Sequence, residues 1–178
     1  MLWLFPALAL ATPLHSWDFE TGEDGFSPST GLQFEWGTFG LLPADPSDGS
    51  AGWATQIDAH YLNDASDTLA FPFLDLTDAS RPILSMLHWF TIEDSDWGDS
   101  ARLEARHDGA WIRLSPVYGY PSENGFAGAS GSWRTDWFDL SGLGPSPELR
   151  LAFVSGLSTS FPGWYVDQIS IEEGDPVP

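Results

Sequence analysis

Cysteine and lysine are both missing from this 178-residue sequence, and six arginines stand against 26 Asp and Glu. Without cysteine there is no disulfide framework, no thiolate zinc site and no cysteine nucleophile. The charge balance leaves a net −20. Six scattered guanidiniums cannot neutralise the phosphates that give nucleic-acid binding most of its affinity, and anionic membrane surfaces repel such a chain. Helical periodicity is also scarce. Few windows place apolar residues at i, i+3, i+4 and i+7, and 18 Gly and 14 Pro interrupt the chain throughout.

What is present is aromatic. Hydrophobic residues make up 42% of the chain, with 10 Trp, 12 Phe and 4 Tyr, which is far more buriable surface than a disordered segment carries. The length fits one domain. The opening run MLWLFPALALA is too short to insert across a bilayer, which takes about 20 apolar residues. It ends in Ala9-Leu10-Ala11, a small-x-small pattern of the kind signal peptidase cuts, though no basic residue precedes it. Residues 1–11 are read as a short signal-like segment, with an N-terminal strand packed on the domain as the alternative. The domain then covers 12–172, and 173–178 form a Pro-rich polar tail.

Short aromatic and β-branched runs separated by turn-formers mark about ten strands: Leu14–Glu20, Leu32–Phe39, Gly52–Ile57, Thr68–Leu76, Pro82–Ile92, Ala101–His107, Ala110–Leu114, Trp133–Leu140, Glu148–Ser155 and Trp164–Ile171. With no helix between them, they predict an all-β fold, two antiparallel sheets stacked as a sandwich. Asp108-Gly109 sets a tight hairpin, because both residues tolerate positive φ. The run Ile83–Phe90 is apolar on both parities, so its strand is covered on both faces. On that strand His88 shares a face with Met86 and Phe90, as a satisfied core histidine would.

The order of motifs is more distinctive than any one of them. Trp17-Asp18-Phe19-Glu20 opens the domain, followed by Gly52-Trp53-Ala54-Thr55, Leu74-Asp75-Leu76-Thr77 and His88-Trp89-Phe90 with Glu93. Then come Leu103-Glu104, Asp108-Gly109-Ala110-Trp111, Leu114-Ser115-Pro116 and Gly119-Tyr120-Pro121. Phe138-Asp139-Leu140-Ser141-Gly142, Leu149-Arg150-Leu151-Ala152-Phe153 and Gly163-Trp164-Tyr165-Val166-Asp167 close it. This ordered set resembles the MAM-like jelly-roll domains, of concanavalin A-like sandwich type, found in bacterial secreted proteins and beside the catalytic domain of immune inhibitor A metallopeptidases. Two features depart from it. The disulfides of animal members are absent, and Asp167 is followed by Gln168 where bacterial relatives carry a second Asp. No His-Glu-x-x-His surrounds any of the four histidines, so the neighbouring peptidase activity does not reside here.

The resemblance implies a calcium ion held by Glu20 from the first strand and Asp167 from the last, with Asp18 and Asp58 as further candidates. Asp167 also shares parity with Ile169 and Ile171, so in a regular strand it points inward, where a carboxylate needs a cation, an arginine or several N–H donors; pairing with arginine or backbone amides is the alternative. Glu93, Asp94, Asp96 and Asp99 form an acidic loop without EF-hand spacing, read as a solvated loop or a second cation site. Trp97, Trp111, Tyr118 and Tyr120 are candidate stacking platforms for a carbohydrate or anchors for an extracellular protein. No pair of strand carboxylates has the spacing of the glycosidases that share this architecture. The sequence thus predicts a secreted or cell-surface, non-catalytic recognition or adhesion module stabilised by calcium. The alternative is a structural accessory domain of an extracellular hydrolase, with a glycan-active enzyme a more distant third.

Overall fold

The computed structural model describes residues 13–41, 49–93 and 98–175. Among them are twelve β-strands and no helix. In chain order they are β1 (His15–Trp17), β2 (Ser27–Pro28), β3 (Phe34–Thr38), β4 (Ala51–Thr55), β5 (Ser66–Ala70), β6 (Pro82–Ile92), β7 (Ser100–His107), β8 (Ala110–Arg113), β9 (Gly128–Ala129), β10 (Arg134–Asp139), β11 (Leu149–Val154) and β12 (Gly163–Glu173). Seven strands make one antiparallel sheet in the order β10-β6-β12-β4-β3, with β1 added to β12 and β9 to β6. The other five make a second sheet, β2-β5-β11-β7-β8. The all-β, two-sheet sandwich expected from the sequence is the fold.

All ten expected strands are present, and two dipeptide strands, β2 and β9, join them. The strand expected over Thr68–Leu76 stops at Ala70, because Pro72 lacks the N–H that a continued ladder needs. Asp108 and Gly109 take φ of 50° and 79°, the left-handed pair required by the β7–β8 hairpin.

The core lies between the sheets. Leu84, Met86, Phe90 and Ile92 from β6, Trp164, Val166, Ile169 and Ile171 from β12, and Leu103, Leu151 and Phe153 from the smaller sheet are all buried. Phe126 comes from the long segment between β8 and β9. It turns inward, fully buried, with its backbone bridged to Ala101 and its ring against Phe90, Tyr120 and Trp164. A second, small cluster covers the outside of the seven-stranded sheet, where Trp89, Tyr165 and Ala54 pack under Phe39 and Trp133. This is why β6 is apolar on both parities.

β12 is irregular where it matters. Its register with β6 shifts between Val166 and Ile169. Before the shift it pairs with β4, at Val166↔Trp53, and after it with β1, at Ile169↔Trp17. Val166 and Ile169 both reach the core, so alternation is broken and the parity argument for Asp167 does not hold. Asp167 occupies the bulge, 1% exposed, with Oδ1 accepting the Gln168 N–H at 2.8 Å.

Buried carboxylates pin the loops. Asp67 accepts from Ser29 Oγ (2.6 Å) and from the backbone N–H groups of Thr30, Gln33 and Thr68 (3.1, 3.1 and 2.9 Å). Burial works against its charge, but these bonds outweigh it and hold the carboxyl below its usual range. Asp99, at the end of the acidic loop, is fully buried and not solvated as the sequence suggested. It accepts from the Tyr61 hydroxyl at 2.6 Å and from the Gly156 N–H.

Candidate functional site

The calcium candidates divide. Glu20 is exposed and its Oε1 accepts from the backbone N–H groups of Ser50 and Ala51 (3.0 and 3.1 Å), and a Cβ on Gly49 would collide with this carboxylate. Glu20 thus holds the start of β4, while the Val166↔Trp53 register and the Val166 carbonyl against Gly52 bring the β12 bulge to the same strand. Asp18 acts locally, accepting the Glu20 N–H at 3.3 Å. Asp58 lies against Gly40 and near the Tyr165 hydroxyl, which burial first and the Asp58 charge second push up to about 12. Among the described residues no three His, Asp or Glu side chains gather as a metal site. Asp94 and Asp96 lie outside the described residues.

The aromatic candidates fall on different parts of the molecule, and Trp97 lies outside the described residues. Tyr120 is no platform: its ring packs on Phe126 at 4.7 Å, and its hydroxyl donates to Leu114 O (2.6 Å) while accepting the Leu103 N–H (3.2 Å). It is a core strut that fastens the loop after β8. Trp111 lies on the outer face of the smaller sheet, the face it shares with Arg113, with the Arg150 guanidinium 4.1 Å from the ring centroid. Tyr118 is 61% exposed and meets Trp137 edge-on, with centroids 6.1 Å apart and planes at 89°. The Val117 N–H donates to Trp137 O at 2.7 Å, fixing this loop to the β10 edge.

Trp137 is a further aromatic on this side of the molecule, one that nothing in its sequence neighbourhood sets apart. Registers across four strands place it in one row on the outer face of the seven-stranded sheet: Trp137↔Ser85, Ser85↔Ser170, Ser170↔Ser16. Strands lie about 4.8 Å apart, so the row extends roughly 14 Å. The hydroxyls of Ser85 and Ser170 meet at 2.9 Å, and Ser170 Oγ donates to Glu172 Oε1 at 3.4 Å. Above them is a groove of about 410 Å³ lined by Ser16, Ser85, Thr135, Gln168, Ser170 and Glu172, and an adjoining hollow shares Ser85 and Glu172 and is walled by Trp137. An aromatic wall, a hydroxyl floor and a carboxylate together can seat a polyhydroxylated molecule by ring stacking and directed hydrogen bonds. No pattern in the linear sequence marks this row, because its four members come from four strands.

His88 is inside and committed. Its Nδ1 accepts the Trp164 indole N–H (2.9 Å), which leaves Nε2–H to donate to Asp136 Oδ2 (2.7 Å). Asp136 also takes Arg134 Nε (2.7 Å) and Nη2 (2.8 Å). Burial lowers the pKa of His88. Burial opposes the Asp136 charge, but His88 and Arg134 outweigh it and hold that carboxyl below its usual range. With both ring nitrogens engaged and no exposed surface, His88 is the satisfied core histidine expected.

No protein-family model matches the chain, and no curated protein matches its sequence. Solved structures do match. The K1 cleaved adhesin domain of Lys-gingipain from Porphyromonas gingivalis W83 aligns with a TM-score of 0.53 at 12% identity, over 90% of this chain and 98% of that one. The CBM22-1 xylan-binding domain of Paenibacillus barcinonensis Xyn10C aligns at 0.52 and 13% identity, over 95% and 100%. The CBM22-1–GH10 modules of Clostridium thermocellum xylanase 10B, complexed with xylohexaose, align at 0.53 and 13% identity, over 95% of this chain and 30% of that one. The chain therefore shares the β-sandwich fold of adhesin and carbohydrate-binding domains.

Proposed function

We propose that this chain is a non-catalytic, extracellular recognition module of the MAM-like kind that binds carbohydrate on the outer face of its seven-stranded sheet. The observation that carries this reading is the registered row Trp137–Ser85–Ser170–Ser16, with Tyr118 edge-on to Trp137 and Glu172 beside the hydroxyls. The fold likeness to an adhesin domain and to xylan-binding modules supports it. A calcium ion belongs to the same proposal, with Glu20 and Asp167 as its carboxylate ligands. Calcium takes six to eight oxygens, so backbone carbonyls and water would supply the rest, and Asp18 and Asp58 are the weaker members of the set.

Xylohexaose titrated into the protein, followed by tryptophan fluorescence and calorimetry, tests the binding face. Binding that weakens about tenfold or more in Trp137→Ala supports it, since one stacked ring contributes a kcal/mol or more. Silence across a panel of neutral oligosaccharides would sink the carbohydrate reading and favour a protein ligand. The metal claim is tested by thermal unfolding with calcium and then with EDTA. An ion bound only by the folded state raises the midpoint, so an unchanged midpoint removes calcium.

A further inference from the structure

The outer face of the five-stranded sheet holds a second, chemically different cleft. Four of the six arginines of this −20 chain sit on that face: Arg102 and Arg106 on β7, Arg113 on β8 and Arg150 on β11. Glu104 is clasped by Arg102 (Nε–Oε1, 2.6 Å) and Arg150 (Nη2–Oε2, 2.6 Å). Arg150 in turn lies over Trp111, and Arg106 is 6.0 Å from the same ring. Beyond Trp111 opens a cleft of about 370 Å³ whose walls include Phe73, Pro72, Pro147, Leu149 and Glu148. Phe73 is 78% exposed on a segment pinned by the Phe71 N–H to Leu149 O (3.0 Å) and the Leu76 N–H to Pro145 O (2.7 Å).

We propose that this cleft binds a uronate-bearing sugar chain, a ligand and a face distinct from the row of serines. The apolar rings of Trp111 and Phe73 offer stacking walls for sugar CH faces. The cation comes from Arg106, whose partner in the protein is Glu148, at 3.4 Å between side chains 47% and 64% exposed. Exposed pairs of this kind are weak. A ligand carboxylate can take the guanidinium fork with two parallel N–H···O bonds, which a single contact at 3.4 Å does not match. Arg150 is fixed on Glu104 and adds positive charge without being consumed by the ligand. The rest of the molecule is acidic, so an anionic chain is drawn to this face and repelled elsewhere.

Trigalacturonate and its methyl ester, titrated at low and at high salt, test the proposal. Trigalacturonate should bind, and the ester and raised salt should each weaken it. Arg106→Gln and Phe73→Ala should each lose about tenfold, the loss expected for one charge-assisted bond or one stacked ring. Glu148→Gln should tighten binding, because it removes the carboxylate charge that competes for Arg106. Trp137→Ala should leave trigalacturonate untouched, which separates this cleft from the xylohexaose face. No binding of trigalacturonate overturns the proposal, as does equal binding of the ester or full binding in both Arg106→Gln and Phe73→Ala.

Discussion

Two carboxylates in this protein are each held by a pair of cationic or hydrogen-bonding partners, and they do opposite things. Asp136 faces the core, 1% exposed, clasped by Arg134 and by His88, which is itself fixed by Trp164. Glu104 faces outward, 6% exposed, clasped by Arg102 and Arg150, each with about a quarter of its side chain in water. The inner cluster joins β10, β6 and β12 through side chains and so fixes the middle of the large sheet. The outer one joins neighbouring β7 and β11 and lays Arg150 flat on Trp111. For both carboxyls burial opposes the charge and the partners overcome it, leaving the pKa below its usual range. The lesson is one of solvent: the same ionic motif is structural where one partner, His88, has no contact with water, and becomes a positioning device where every partner reaches it.

Removing the inner carboxylate should do the most damage. Asp136→Ala leaves the buried Nε2–H of His88 and the Arg134 fork without their acceptor, and should cost about 3 kcal/mol or more in urea unfolding. Glu104→Ala should cost less, about 1–2 kcal/mol, because Arg102 and Arg150 can turn to water. It should also change the Trp111 fluorescence environment, which Asp136→Ala should not. A loss from Glu104→Ala equal to that from Asp136→Ala would erase the distinction.

Acid should separate the clusters further. The folded state holds His88 neutral with a lowered pKa, whereas the unfolded chain protonates it around pH 6.5. Stability is therefore fully present above that value and declines as pH falls below it. The carboxylates act later. Their lowered values mean that stability from Glu104 and Asp136 is present above their ordinary 4.5 and 3.8 and is lost only below them. Urea midpoints at pH 8 and pH 5.5 should differ in the native protein, and the difference should shrink in His88→Gln, whose amide cannot titrate. The smallest effect on stability should come from Arg106→Gln, within about 0.5 kcal/mol for an exposed pair.

Much of the fold was legible because alternation and turn chemistry are local. The Asp108-Gly109 hairpin, the doubly covered β6 and the core placement of His88 each follow from neighbours in the chain. The rest depends on pairings remote in sequence. The β12 bulge cannot be read from Asp167 and Ile169, since it arises where β12 changes partner from β4 to β1. Trp137 looks like one of many strand aromatics until three serines from three other strands line up beside it. Asp99 reads as part of an acidic loop, and its burial becomes visible only when Tyr61 and Gly156, 38 and 57 positions away, supply its donors. Tyr120 stands in a Gly- and Ser-rich stretch that reads as exposed loop, and the Phe126 ring that draws it inward lies six positions further along the chain.

β1 and the last stretch of β12 run antiparallel side by side, with His15 opposite Ile171 and the Leu14 N–H on Ile171 O. Tension pulling residues 13 and 175 apart would load these hydrogen bonds one after another rather than all at once. Under force the sandwich would therefore unzip from this corner, shedding a three-residue strand before the interior sheet bears any load.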